Sequence, residues 1–215
     1  MTSYIEPLTQ ESTPSIIADK LRKAIGAGEL KPGAQLGEAD LARKLGVSRG
    51  PLREGMQRLT QEGLLVPIRN RGLFVIDMTV DEIRDMYLAR EAIERTAARL
   101  VVAGDYEAAG DELLAVVRKM SEAEGDPAAV GEIDIAFHEL LVHLAASPRL
   151  TRIHKTLITE TRMCIHALAA TYSGAEARVD EHRHIAEAIR AGDHLQADDL
   201  LAAHMEDAIA RLTSR

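Results

Sequence analysis

Two sets of side chains in this 215-residue sequence have types and spacings suited to chemistry. Asp134 and His138 stand four residues apart, which on a helix projects a carboxylate and an imidazole from one face. Ile133, Phe137 and Leu141 flank them, placing the pair at the edge of an apolar stripe. His182 falls among Val179, Ile185, Ala186 and Ile189, and His204 among Leu200, Leu201, Ala208 and Ile209. One carboxylate and three imidazoles facing the interior of a helical bundle suit a borderline divalent ion such as Zn²⁺, Ni²⁺, Co²⁺ or Mn²⁺. Read singly, each histidine is better explained as a hydrogen-bonded core or surface residue, so the metal reading rests on the set. The second group is Arg49 and Arg53, again four apart, directly after Ser48. An arginine in the first turn of a helix lying in the major groove reaches the O6/N7 edge of guanine.

These residues need elements to hold them. A first helix fits Ser15–Gly26, with Ile16, Ile17, Leu21, Ala24 and Ile25 as its apolar stripe and Pro14 near its start. A short helix over Glu38–Leu45 is stopped by Gly46, and a helix from Ser48 to about Glu62 is stopped by Gly63. Leu52, Met56 and Leu59 turn inward, opposite the two arginines. Two short helices joined by a glycine-containing turn form a helix-turn-helix. The β-prone runs Leu64–Ile68 and Leu73–Asp77 then flank Arg69-Asn70-Arg71-Gly72, predicting a hairpin wing with a basic tip. From Val80 the spacing predicts only helices: Val80–Ala103, Asp105–Glu124, Pro127–Ala146, Arg149–Thr171, Glu176–Ala191 and His194–Leu212. Gly125, Ser147-Pro148, Ser173-Gly174 and Gly192-Asp193 separate them. The expected fold is mainly α. A winged helix-turn-helix domain with a small β-hairpin wing spans 1–78, and an all-α antiparallel bundle spans 79–215.

Charge tests this division. The net charge of −8 argues against a nucleic-acid partner only while it is averaged. It splits into +2 up to Met78 and −10 beyond, and Arg43–Arg71 alone carries +5. Basic charge is therefore concentrated on the predicted recognition helix and wing, where phosphate would be met. The single cysteine, Cys164, excludes an internal disulfide and any cysteine-based zinc motif. No apolar run approaches the roughly 18 residues of a membrane span, and Met1–Pro14 is polar and acidic, so a soluble, cytoplasmic protein without a membrane partner is expected.

The run Leu41-Ala42-x-x-Leu45-Gly46-Val47-Ser48-Arg49-x-Pro51-Leu52-Arg53-Glu54, with Leu59-x-x-Glu62-Gly63-Leu64 and Arg71-Gly72-x-Phe74-Val75, resembles the GntR family of bacterial transcription regulators. The resemblance implies that Arg49 and Arg53 contact operator bases and phosphates and that Gly72 approaches the minor groove. Ser48, Arg69 and Arg71 complete the expected DNA surface. Ala39 departs from the pattern, because members commonly carry an arginine there; either operator preference differs or the contact comes from elsewhere, with Arg43 or Lys44 as the candidates. Farther on, Asp134-x-x-Phe137-His138, Glu181-His182-Arg183-x-Ile185 and Ala202-x-His204 resemble the FCD ligand-binding domain of the FadR-type branch. Six helices rather than seven look like its shorter, VanR-type subgroup. In metal-binding members the aspartate and three histidines hold one ion, which implies Asp134, His138, His182 and His204 here. His143, His154, His166, His184 and His194 match no motif and are read as surface residues or as supports behind the ligands. Of these, His166 is the one expected to approach the pocket.

Arg90 lies on the apolar stripe Ile83–Tyr87–Arg90–Glu94–Ala97–Val101, where an unpaired charge is costly. It is either half of an inward Arg90–Glu94 pair or a clamp for an effector carboxylate. In the domains this chain resembles, an arginine near this position often lies by the effector cavity, which sets the clamp reading level with the pairing one. Arg162 is a second candidate. The expected function is a homodimeric DNA-binding regulator of the repressor type, not an enzyme. It would read a pseudo-palindromic double-stranded operator and sense a small organic acid at a metal-containing pocket. The alternatives are a metal-dependent hydrolase fused to a helix-turn-helix, or a regulator whose metal is only structural. The hydrolase lacks any further Asp or Glu at motif spacing to act as a base.

Overall fold

In a computed structural model of the chain, residues 12–123, 125–168 and 175–213 are described, the side chains of 127, 166–168 and 175–177 excepted. The predicted helix ends at Glu124 and Thr171, the Ser173-Gly174 break and the His166 side chain lie outside the described residues. The chain divides into two compact units between Asp77 and Met78.

The first unit holds α1 (Thr13–Gly26), β1 (Gln35–Leu36), α2 (Glu38–Leu45), α3 (Arg49–Gln61), β2 (Leu65–Ile68) and β3 (Gly72–Val75). Helix α1 buries Ile17, Ala18, Leu21 and Ile25, whereas Ile16, expected on this stripe, is 42% exposed. It packs closely on α3, where a Cβ on Gly55 would lie 2.8 Å from Ile17 Cγ2. Leu52, Met56 and Leu59 face the core as expected. Arg22 grips Glu62 with Nε and Nη2 at 3.0 and 2.8 Å, tying α1 to the end of α3. Gly46 closes α2 at φ 65°, a left-handed angle that glycine adopts without the usual Cβ penalty.

The wing is a three-stranded antiparallel sheet in the order β1-β3-β2, with Val66 opposite Phe74 and Gln35 also opposite Phe74. The predicted hairpin is present. Its third strand, β1, was not expected, because two residues are too short to show an alternating pattern. Asn70 (φ 61°) and Gly72 (φ 100°) provide the left-handed turn at the tip.

The second unit contains α4 (Val80–Val102), α5 (Tyr106–Glu122), α6 (Pro127–Leu144), α7 (Pro148–Leu168), α8 (Ala175–Arg190) and α9 (His194–Thr213). A reciprocal capping box starts α4, with Thr79 accepting from Glu82 N and Glu82 accepting from Thr79 N. Helix α5 packs on α8, α4 on α9, and α6 on both α5 and α7. The main core gathers around Leu113, Phe137, Leu141, Val179, Ile185, Ile189 and Leu201, with a smaller one around Met86, Tyr87, Cys164 and Met205. The α5–α8 crossing depends on Gly110, where a Cβ would overlap the backbone of Arg190, 2.8 Å from its nitrogen. Gly110→Ala is therefore expected to cost about 1–3 kcal/mol by overpacking. Urea denaturation measures this, and a loss below about 0.5 kcal/mol, as at an ordinary surface site, would show that the helices can part freely. Among the described residues, no helix is long and apolar enough to cross a membrane.

Candidate metal centre and nucleic-acid interface

Asp134 and His138 on α6, His182 on α8 and His204 on α9 converge inside the second unit. One ligand atom from each lies within 4.8 Å of all the others, and all four residues are buried. The hydrogen bonds behind the rings decide what they present. His138 Nδ1–H donates to Glu94 Oε2 at 2.6 Å, His204 Nδ1–H to Glu181 Oε2 at 2.8 Å, and His182 Nδ1–H to the Arg178 carbonyl at 2.7 Å. An ionised carboxylate or a carbonyl can only accept, so these partners place a hydrogen on each Nδ1. Every neutral ring then turns a bare Nε2 lone pair inward. The Nε2 atom of His138 lies 3.1 Å from that of His204 and 3.3 Å from that of His182, and His182 Nε2 lies 3.2 Å from Asp134 Oδ1. Lone pairs facing each other this closely need a cation or a proton between them. Metal–nitrogen bonds of about 2.05 Å in a tetrahedral arrangement give edges of about 3.3 Å. The residues present fit a divalent ion.

Charge agrees with this. Burial alone would raise the Asp134 carboxyl, but His182, and then His138 and His204, hold it well below the carboxylate range. Burial pushes the His138 imidazole down to about 4 against the pull of Glu94, and it lowers His204 against the pull of Glu181. The site therefore offers an ionised carboxylate, and its His138 and His204 rings are neutral.

Arg90 and Glu94 are fully enclosed, with Nε to Oε1 at 2.9 Å. The inward pair expected from sequence is there, but it does more than pack, since the same carboxylate also accepts from His138 and from His154 Nε2 at 2.9 Å. Burial would raise Glu94; Arg90 first, then the two histidines, hold it well below its ordinary range. Arg90 Nη1 donates to Thr161 Oγ1 at 3.2 Å, while Nη2 is buried and makes no hydrogen bond among the described residues. Arg162, the second effector candidate, is turned elsewhere: its Nε donates to Glu132 at 3.2 Å and its Nη2 lies 4.0 Å from Glu139. Two acidic side chains on the outer part of α6 attract it more cheaply than a buried cavity would.

Sequence reasoning missed Glu181 and the carbonyl of Arg178 as supports, and for His154 it left the choice between a surface residue and a support open. His154, Ile158, Thr161 and Ile165 are all buried at helical spacing, a stripe that would have singled out His154. His143, His184 and His194 are exposed, as expected of surface residues. Carboxylates do stand beside the histidines, contrary to the expectation from motif spacing. However, they hold Nδ1 from behind rather than facing the space between the Nε2 atoms.

In the first unit, Ser48, Arg49, Arg53, Arg69, Arg71 and Gly72 are all exposed. Ser48 is the N-cap residue of α3, as expected, yet its side chain makes no capping bond. Arg53 Nε donates to Glu38 Oε2 at 2.7 Å. The Arg71 guanidinium lies 5.0 Å over the Phe74 ring, and the Gln35 amide donates to the Arg71 carbonyl, bracing the wing tip. Arg43 and Lys44, the candidates to substitute for an arginine at position 39, both pair with Asp40.

A winged helix-turn-helix joined to an all-helical bundle with a buried His/Asp cluster defines a two-part transcription regulator. The chain belongs to the GntR family of bacterial regulatory proteins: residues 14–75 match that family and residues 85–207 match the FCD domain. It is 30% identical over 196 residues to the HTH-type transcriptional regulator YdhC of Bacillus subtilis (strain 168), covering 86% of this chain and 84% of that one. It is 24% identical over 195 residues to the HTH-type transcriptional repressor GlaR of Escherichia coli (strain K12), covering 86% and 89% respectively. In fold it is similar to a chain described as the transcriptional regulator GntR from Rhodococcus sp. RHA1. That match has a TM-score of 0.80 and 30% identity, over 95% of this chain and 100% of the other. These relatives are regulators rather than enzymes, and nothing among them supports a hydrolase. The GntR helix-turn-helix implies DNA binding, and the FCD domain implies a small-molecule effector.

Proposed function

We propose that the protein is a metal-dependent, acid-sensing repressor that acts in the cytoplasm as a homodimer on a pseudo-palindromic operator. The observation that carries the sensing half is the convergence of three Nε2 lone pairs and one ionised carboxylate. Asp134, His138, His182 and His204 would hold Zn²⁺, Ni²⁺, Co²⁺ or Mn²⁺, and the ion would supply a Lewis-acid anchor for one end of a small organic acid. Arg90 binds the other end through Nη2, since a guanidinium edge fits a carboxylate and this atom is buried without a hydrogen bond. Thr161 and Glu94 hold the rest of the guanidinium in place. The repressor sense is supported by the name of GlaR. Acid binding changes operator affinity only in so far as it favours one dimer geometry over another.

The DNA half is tested by gel shift on the gene's own upstream region. Arg49→Ala and Arg53→Ala are each expected to weaken binding about tenfold or more, the range of a lost bidentate base contact. Binding as tight as wild type in both variants would refute the assignment of α3 as the recognition helix. A second reading, that the ion is purely structural, is favoured by the burial of all four ligands. Calorimetry separates the two, because a structural ion raises the melting temperature without creating a site for small carboxylic acids.

A further inference from the structure

Glu38 is the first residue of α2, where a carboxylate suits the positive end of the helix. That placement alone does not require it to touch α3, yet its Oε2 accepts from Arg53 Nε at 2.7 Å across 15 residues of sequence. The pair lies on the solvent side, with Arg53 64% and Glu38 36% exposed. A guanidinium is a rigid planar fork with donors on three edges. Held at Nε, it keeps its two Nη nitrogens as the outward end, and that end matches the paired O6 and N7 acceptors of guanine. A loose arginine at the same place would close on the nearest phosphate, which binds every sequence alike. A negative charge beside the DNA-facing surface weakens attraction to phosphate, so its contribution must lie in orientation rather than affinity.

We propose that Glu38 is a positioning residue that holds Arg53 by its Nε edge and so makes it a reader of guanine rather than a clamp on phosphate. This rests on α3 being the recognition helix. Exposed ion pairs contribute little to stability, so Glu38→Ala folds and its effects can be read on DNA. The test is selection of bound sequences from a random duplex library by the full-length protein, with affinity for a non-cognate duplex measured against salt.

Wild type selects guanine at the position lost in Arg53→Ala. Glu38→Ala relaxes that one position by tenfold or more. It also binds non-cognate duplex more tightly, with a salt slope steeper by about one phosphate contact. Glu38→Gln, which keeps an acceptor oxygen, retains part of the preference. In the Arg53→Ala background, removing Glu38 no longer changes base preference. The proposal is overturned if Glu38→Ala keeps the full guanine preference, or if it relaxes the same position in the absence of Arg53. If wild type selects no sequence at all, the recognition-helix assignment falls as well, an outcome distinct from either of these.

Discussion

Replacing Glu94 with alanine is expected to cost the helical unit about 3–5 kcal/mol, because it strands a buried charge. The Arg90 guanidinium and the Glu94 carboxylate are 1% and 0% exposed. Burial works to lower the pKa of Arg90, and Glu94 is the chief influence opposing it. Without that carboxylate, Arg90 stays charged in an enclosure it shares with the face of Tyr87, 4.9 Å from the ring centre. His138 Nδ1 and His154 Nε2 lose their acceptor in the same step, at about 1–3 kcal/mol for each group left unsatisfied, though such losses do not add simply. Replacing both partners with apolar residues, Arg90→Met with Glu94→Leu, is expected to recover the part of the loss due to the stranded charge, since a well-packed apolar pair often matches a buried ion pair. His138 and His154 remain without their acceptor. Urea denaturation of the metal-free protein distinguishes the variants. A Glu94→Ala loss below about 1 kcal/mol, a common value for any substitution, would contradict the argument. So would a double variant no more stable than the single. Glu94→Ala is further expected to weaken metal binding about 10–100-fold, the usual effect of losing the group that orients a ligating histidine.

This network marks the boundary of what the sequence makes legible. Helical spacing located α4 to α9 and the inward faces of His138, His182 and His204, because burial of an apolar stripe repeats every three to four residues. The FCD resemblance supplied the four-residue set. Neither indicated that Glu94, expected as a partner of Arg90, reaches across to His138. That contact depends on the rotation of α4 against α6, which periodicity leaves free to within the width of the stripe. The partner of Arg162 was hidden for the same reason: it lies on α7, and its pairing with Glu132 on α6 depends on how the two helices are rotated. In the first unit the punctuation by Gly46, Gly63, Asn70 and Gly72 made the architecture plain, since each position forces or permits a specific backbone angle. The Glu38–Arg53 pair was not visible, because it joins two helices whose crossing no local pattern specifies.

Acid and metal should act on the second unit in opposite directions through the same rings. In the metal-free protein, burial moves His138 from its ordinary 6.5 down to about 4, and His204 moves the same way. At His138 the unfolded chain therefore takes up a proton near pH 6.5 that the folded chain refuses until about pH 4, and His204 acts in the same direction, so stability falls as pH drops through that window. Asp134 and Glu94 are shifted down from ordinary values of 3.8 and 4.5, so their contribution is complete above those values and is lost only at lower pH. Among these groups the acid limb should thus begin with the histidines, before Asp134 and Glu94 titrate. Glu160, which burial pushes up to about 7, opposes them, adding stability as pH falls from about 7 toward its ordinary 4.5. Zn²⁺ at a thousandfold excess over its dissociation constant is expected to add about 4 kcal/mol at pH 7.5, if it does not bind the unfolded chain. A chelator should remove that gain. The gain should be largely kept at pH 5, where the folded rings still refuse protons, and should shrink only nearer pH 4, where protons compete for the Nε2 atom of His138. His182→Ala should abolish it, since that ring touches both His138 and Asp134 in the cluster. Denaturation of chelated and Zn²⁺-loaded protein at pH 7.5, pH 5 and about pH 4 supplies all four comparisons. In a Glu160→Gln background, which removes that opposing carboxyl, metal-free stability that is flat between pH 7.5 and pH 5 would show that the rings are not held neutral by burial. A Zn²⁺ gain that survives in His182→Ala would place the ion elsewhere, and the inward lone pairs would then need a proton rather than a metal to reconcile them.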